Sequence, residues 1–161
     1  MKEVDFYILS KNDKNYVNLF VCKLSEKAYN MSKSVIIFTS NKEKSVKLSE
    51  MLWSFKKECF LPNEIEPFNC KNTKNCISLI YKESSLSMSD VLINYSDVAL
   101  PELNKATRIL EIVQNNEIDK SKARQKYIKY KKGQRKRRTS DQRLQASTTT
   151  SMMSSERSRR R

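Results

Sequence analysis

The sequence contains no histidine and a single glycine, Gly133, among 161 residues. Without an imidazole the chain cannot form a Ser-His-Asp or Cys-His nucleophilic site. The Walker A loop and the Gly-x-Gly-x-x-Gly turn both need several glycines, because only glycine lets the backbone approach a phosphate so closely. These two shortages exclude the usual catalytic triads and the usual nucleotide-binding enzymes.

Cysteine and long apolar runs are also limited. The four cysteines include no Cys-x-x-Cys pair, and no histidine is present to complete a zinc site. No apolar run approaches the roughly 18 residues of a membrane span, and the N-terminal residues show no signal-peptide pattern. We therefore expect reduced thiols, no metal, no cofactor and no membrane contact, as in a cytoplasmic protein.

Positive charge is concentrated near the C-terminal end of the chain. Residues 1–118 carry a net charge of +1, residues 119–132 carry +6, and residues 133–161 carry +7, out of a total of +14. A general lysine bias would not place nearly all of the excess after residue 118. We expect this end to bind an acidic partner, which would be nucleic acid, an acidic peptide or an anionic surface.

The stretch 117–132 is predicted to be a basic helix. Four of its residues fall at positions i, i+4, i+7 and i+11 and share one helix face: Lys120, Arg124, Tyr127 and Lys131. Cations and an aromatic ring on one face suit an anionic partner that also carries an apolar group. The alternative is a solvated basic helix whose aromatic residues pack on the domain, and the spacing alone favours this alternative.

The first half of the chain alternates strand and helix patterns. Residues 4–9 predict a strand, residues 15–30 an amphipathic helix, and residues 35–39 a strand buried on both faces. Ser40 is the predicted N-cap of a second helix, with Glu43 at the capping-box spacing. This order is typical of a parallel α/β sheet with right-handed crossovers.

The second half predicts more strands and a tail. Residues 63–75 are polar and predict a surface loop, whereas residues 76–81 and 90–95 predict strands. Residues 106–113 fit a strand or a helical turn, and their β-branched content favours a strand. We predict one α/β domain over residues 1–132, with a mostly parallel sheet and flanking helices, followed by a basic, low-complexity, disordered tail over residues 133–161.

Several stretches carry a family resemblance. They occur in the order 5–9, 52–53, 60–63, 90–94 and 123–130. Together they resemble the chi subunit family of bacterial DNA polymerase III, small accessory proteins of the clamp-loader complex. The Leu-Trp pair, Phe-Leu-Pro, and the closing Arg-x-x-Tyr-x-x-Tyr are the more specific parts. The resemblance implies a non-catalytic DNA replication protein whose α/β domain is similar to nucleotide-binding folds but lacks a phosphate loop.

The resemblance also implies one binding partner for the basic helix. Family members bind the acidic C-terminal peptide of single-stranded-DNA-binding protein, which ends in an aromatic residue with a free carboxylate. A receptor for it needs cations and an apolar seat. By resemblance, Lys120 or Arg124 would hold the carboxylate, and Tyr127 with Ile118 would form the seat for the ring.

A second partner is implied on another surface. Family members bind the psi subunit, which connects them to the clamp loader, so a monomer or a heterodimer is expected. The residues that match the psi-facing surface are Trp53, Phe60, Leu61 and Pro62. The alternative is that Trp53, at the end of an amphipathic helix, belongs to the core; without the resemblance this alternative is favoured.

Two other functions remain open from the sequence. The first is direct binding of single-stranded nucleic acid by the basic helix and tail, with Tyr127 and Tyr130 stacking on bases. Even within the adaptor interpretation, a weak nucleic-acid contact is expected. The second is catalysis by paired carboxylates such as Glu64 and Glu66, although acidic residues in a polar loop are usually solvated.

Overall fold

The computed structural model describes residues 3–58, 60–67, 76–100 and 105–132. The chain forms two compact units, Met1–Arg124 and Gln125–Arg161. The first unit contains the strands, two helices and the start of the last helix. In the second unit, residues 125–132 are helical. The predicted boundary after residue 132 stays a prediction, and the tail lies outside the described residues.

The fold is α/β, as predicted. Its elements are β1 (Glu3–Ile8), α1 (Lys14–Asn30), β2 (Val35–Thr39), α2 (Lys42–Ser54), β3 (Asn63–Ile65), β4 (Ile77–Ile80), β5 (Ser89–Tyr95), β6 (Ala106–Val113) and α3 (residues 117–132). Within the described ranges, six strands form one sheet in the order β1-β6-β5-β2-β4-β3. Every neighbouring pair is parallel.

The main core lies between one face of this sheet and the helices α1 and α2. Val35 and Ile37 of β2 share a buried cluster with Val21 of α1 and Leu48 of α2. Because side chains alternate along a strand, Ile36 belongs to the opposite face, and it is fully buried as well. This confirms the prediction that the apolar run 35–39 is a strand covered on both faces.

The opposite face of the sheet contains a buried polar pair. Asn94 of β5 donates a hydrogen bond to a carboxylate oxygen of Glu111 of β6 over 2.8 Å, and neither residue is exposed. The register places these two residues side by side. Burying a carboxylate costs free energy unless it is hydrogen-bonded or paired, so this contact is part of what holds the sheet together.

The start of α2 differs by one residue from the prediction. Asn41, not Ser40, is the N-cap, and its side-chain oxygen accepts a 2.9 Å hydrogen bond from the Lys44 amide. The predicted capping box from Ser40 to Glu43 is therefore wrong. Asparagine and serine cap helices about equally well, so the sequence did not distinguish the two positions.

The predicted surface loop 63–75 is wrong at its start. Asn63–Ile65 forms the edge strand β3, in which Glu64 pairs with Ser78 of β4. Three residues of mixed polarity are too few to show an alternating pattern. The part of this loop from residue 68 to residue 75 lies outside the described residues.

The remaining predicted elements are confirmed. The strands predicted at 76–81 and 90–95 are β4 and β5, and the ambiguous stretch 106–113 is the inner strand β6 between β1 and β5. The basic helix spans residues 117–132. Among the described helices, none combines the length and the apolar character needed to cross a membrane.

The burial of Cys22 in α1 predicts that its thiol reacts slowly with alkylating reagents. The side chain is fully buried, and this burial raises the pKa of the thiol to about 12. Because a raised pKa keeps the thiol protonated at pH 8, and only the thiolate reacts, iodoacetamide should leave Cys22 unmodified in the folded protein. Peptide mass spectrometry should detect full modification only after denaturation, with half-buried Cys76 reacting earlier. Equal rates of Cys22 modification in the folded and the denatured protein would contradict this prediction.

Candidate partner-binding surfaces

An exposed aromatic pair lies beside the end of α2. Trp53 and Phe60 are 45% and 62% exposed, and their ring centroids are 4.1 Å apart in an edge-on arrangement. The neighbouring Leu52 is fully buried, so α2 turns its apolar stripe inward and leaves the indole ring outside. Trp53 is therefore a surface residue and not a core residue. We call Trp53 and Phe60 the aromatic patch.

The two residues that follow Phe60 are placed differently. Pro62 is half-buried, and Leu61 is 1% exposed and belongs to the main core cluster. Leu61 thus supplies no surface to a partner, although the resemblance grouped it with the psi-facing residues. Its isobutyl group packs inward while Phe60 stays outside, so Leu61 anchors the segment that carries Phe60.

The start of α3 is fixed by a reciprocal cap. The side-chain oxygen of Asn116 accepts a hydrogen bond from the Asp119 amide over 2.7 Å, and its side-chain nitrogen donates to the Asp119 carboxylate over 2.7 Å. The carboxylate also lies in the first helical turn, where the positive end of the helix dipole stabilises it. The polar residues before the basic stretch thus determine where the helix begins.

The cations in the first part of α3 are not equivalent. Lys120 forms an exposed 3.3 Å ion pair with Glu117, which is a weak interaction. Lys122 donates a 2.9 Å hydrogen bond to Asp97, which raises the pKa of its ammonium group. Arg124 is exposed and forms no ion pair within the described residues. Arg124 is therefore the cation most available to an incoming carboxylate.

An apolar residue accompanies these cations. Ile118, in the first turn of α3, is 70% exposed. Ile118 lies two residues before Lys120 and six before Arg124, so the helix places it away from the face that these two cations share. The first unit presents three of the four residues that the resemblance assigned to the peptide: Ile118, Lys120 and Arg124.

In the second unit, the two tyrosines differ in exposure. Tyr127 is 53% exposed, and the Lys131 ammonium lies 5.7 Å from its ring centroid, within the range of a cation–π contact. Tyr130 is only 4% exposed. The prediction that both tyrosines stack on bases is therefore wrong for Tyr130, whose ring is not accessible.

The acidic pair considered for catalysis is not a solvated loop pair. Glu64 lies in β3 and is half-buried, and Glu66 is 5% exposed. Within the described residues, neither carboxylate oxygen of Glu66 has a hydrogen-bond partner. The described part of the chain also contains no group of three His, Cys, Asp or Glu residues that could hold a metal ion.

The carboxyl edge of the sheet, where open α/β folds bind their ligands, carries a side-chain contact. The Lys44 ammonium of α2 donates a 2.9 Å hydrogen bond to the Tyr95 carbonyl and lies 3.5 Å from the centroid of the Tyr95 ring. The Tyr95 hydroxyl donates to Asn18 over 3.0 Å, and burial raises its pKa to about 12. Lys44 and Tyr95 thus contact each other at this end of the sheet.

The fold and these surfaces define a parallel α/β domain whose distinctive exposed side chains are aromatic and cationic. The family model described as "DNA polymerase III chi subunit, HolC" matches residues 1–136. The chain therefore belongs to the DNA polymerase III chi subunit family, whose members are accessory subunits in DNA replication.

Two curated relatives agree with this membership. The chain is 26% identical over 131 residues to the DNA polymerase III subunit chi of Pseudomonas aeruginosa, an alignment that covers 81% of this chain and 90% of that protein. It is 28% identical over 133 residues to the DNA polymerase III subunit chi of Haemophilus influenzae, covering 78% of this chain and 88% of that protein.

Proposed function

We propose that the chain is a non-catalytic adaptor of the replicative polymerase. In this proposal α3 binds the acidic C-terminal peptide of single-stranded-DNA-binding protein, and the aromatic patch binds the psi subunit, which connects the chain to the clamp loader. The observation that carries the proposal is the exposed Arg124, with no ion pair among the described residues, on a helix that also exposes Tyr127.

The chemistry of the peptide determines the roles on α3. A terminal carboxylate accepts two parallel hydrogen bonds from a guanidinium, so Arg124 is assigned to it. Lys120, whose exposed ion pair is weak, is assigned to the preceding aspartates. Tyr127 is assigned to the terminal aromatic ring, whose burial supplies the apolar part of the affinity. Ile118, which the resemblance placed in the same seat, lies nine residues earlier and therefore on the other side of the helix, so it is not assigned to the ring.

The aromatic patch supports a second, separate partner. Trp53 and Phe60, which are 45% and 62% exposed, leave apolar area in water, and burying such aromatic groups dominates many interfaces. The edge-on contact between Trp53 and Phe60 holds the two rings in one arrangement before a partner arrives. A pre-ordered pair loses less side-chain entropy on binding.

The test is a titration of the full chain with an acidic peptide that ends in Pro-Phe, beside the same peptide without its final Phe. We expect saturable binding of the first peptide only, measured by calorimetry, because the proposal requires a ring and a carboxylate together. Equal or absent binding of both peptides, with tight binding of single-stranded DNA, would contradict the adaptor proposal.

Replacing Arg124 by alanine should weaken binding of this peptide by about 1.5–3 kcal/mol, the scale of a charge-assisted hydrogen bond. The matched control is Lys129→Ala, which removes the same charge from an exposed position elsewhere on α3. Calorimetric titrations of the two variants should differ clearly at the same ionic strength. If both variants lose affinity for the peptide equally, the affinity depends only on the net charge of α3, and Arg124 has no specific role.

Direct binding of single-stranded nucleic acid is the alternative, supported by the positive charge that follows residue 118. This alternative used Tyr127 and Tyr130 for base stacking, but Tyr130 is buried and its ring is not accessible to a base. Salt dependence separates the two functions, because many phosphate contacts give a steep log-log slope, whereas the few carboxylate contacts of the peptide give a shallower one.

A further inference from the structure

A groove lies in the first unit, between the C-terminal half of α1 and the amino-terminal ends of β1, β5 and β6. Its cavity of about 360 Å³ is in the size range of ligand pockets. The apolar lining residues are Leu24, Ala28, Met31, Val91 and Leu110. This groove shares no residue with the surfaces assigned above to the peptide and to psi, so the inference does not rest on that proposed function.

The charged residues of the groove differ between its two sides. On the α1 side, Lys27 and Lys33 are exposed and make no ion pair within the described residues. On the strand side, Arg108 is held by the Asp5 carboxylate over 2.6 Å and lies 3.7 Å from Glu3. Available positive charge is therefore found on the α1 side only.

The end of α1 also exposes apolar area beside these cations. Met31 is 62% exposed, although it directly follows the helix and lines the same groove as buried Ala28 and Val91. A bound apolar group would cover the Met31 thioether and extend the apolar floor outward. Exposed apolar area beside available cations suits a ligand that has both an apolar part and a negative charge.

The acidic residues around the groove limit the class of ligand that it can bind. Glu3 and Asp90 line the groove, and half-buried Asp5 lies beside it through its ion pair with Arg108. One carboxylate oxygen of Asp90 accepts a hydrogen bond from the Ser34 amide over 2.9 Å. The lining carboxylates Glu3 and Asp90 leave only the α1 side for negative charge, so the groove offers two available cations and not the continuous basic track that a nucleic-acid backbone, with a charge at every residue, requires. A small free anion would leave the apolar floor uncovered.

We propose that this groove is a further docking site, for a protein segment that places an apolar side chain on the floor and adjacent carboxylates against Lys27 and Lys33. The segment needs an Asp or Glu within one or two residues of its apolar anchor, because the two cations border the floor on one side. On the strand side the segment must be uncharged or basic, to suit the exposed Glu3.

The test uses nuclear magnetic resonance of the full chain carrying Arg124→Ala, which removes the competing carboxylate site on α3. The probe is acetyl-Leu-Asp-Asp-amide, which has no terminal carboxylate. We expect saturable shifts at the amides of Ala28, Val91 and Thr107. Acetyl-Leu-Asn-Asn-amide and acetyl-Gly-Asp-Asp-amide should bind about tenfold more weakly, since each lacks one required part.

Charge-matched variants complete the test. Lys27→Gln combined with Lys33→Gln should weaken the probe about tenfold, whereas Lys47→Gln combined with Lys57→Gln removes the same charge from exposed positions outside the groove and should change nothing. Met31→Glu, at an exposed position, should abolish binding without unfolding the chain.

Three results would overturn the proposal. The first is the absence of shifts at the groove amides, or shifts confined to α3. The second is equal loss of binding in both charge-matched double variants. The third is that a short oligothymidylate shifts the groove amides more strongly than the peptide, which would assign the groove to nucleic acid.

Discussion

Trp53→Ala should weaken binding of the psi subunit by about 2–4 kcal/mol, a loss of roughly 30-fold to 1,000-fold in affinity. The indole ring is 45% exposed, so much of its area is left for a partner to bury. Its removal also takes away the ring against which Phe60 packs. Phe60→Ala should act in the same direction. Calorimetry or pull-down titration with purified psi measures the loss.

The control for this experiment is Met88→Ala, at an apolar position that is 72% exposed and separate from the aromatic patch. It should leave psi binding unchanged. Trp53→Ala should in turn leave binding of the acidic peptide unchanged, because the peptide is assigned to α3. Normal psi affinity in a folded Trp53→Ala variant would remove the aromatic patch from the psi interface.

Leu61→Ala should lower the free energy of unfolding by about 2–5 kcal/mol. Leu61 is 1% exposed and packs within the main core, so the substitution both loses buried apolar area and leaves a cavity. Urea denaturation followed by circular dichroism measures the change, seen as a lower midpoint at an unchanged slope. A reduced affinity for psi would then follow from displacement of Phe60.

Ile118→Ala is the matched control, because it removes a comparable side chain at a position that is 70% exposed. Its effect on stability should stay within about 0.5 kcal/mol. If Leu61→Ala also changed stability by so little, Leu61 would not be a core residue. Loss of psi binding in that stable variant would then favour direct contact between Leu61 and psi.

Much of the fold could be predicted from the sequence because its signals are local. The continuous apolar run 35–39 and the β-branched content of 106–113 are both local signals, and both stretches are strands. The basic helix 117–132 was equally clear. The short strand Asn63–Ile65 was missed because its pairing with β4 is a tertiary contact, invisible in three residues.

The surfaces were harder to predict, because exposure depends on neighbours that are distant in the sequence. Leu52 and Trp53 are adjacent and both apolar, yet one is fully buried and the other is 45% exposed. Phe60 and Leu61 differ in the same way. The groove beside α1 gave no sequence signal at all, since Lys27 and Lys33 look like ordinary solvated lysines until the strands are placed opposite them.

The contact between Lys44 and Tyr95 gives the domain a mechanical property. In enzymes of this architecture the carboxyl edge of the sheet is left loose, because loops there must open and close around a substrate. Here a hydrogen bond and a ring contact fasten α2 to the end of β5. Because α2 also carries Trp53 near its other end, the helix that presents the aromatic patch is fixed to the sheet at its amino-terminal end. A group bound at Trp53 would therefore be joined to the sheet through a helix whose opposite end is held in place.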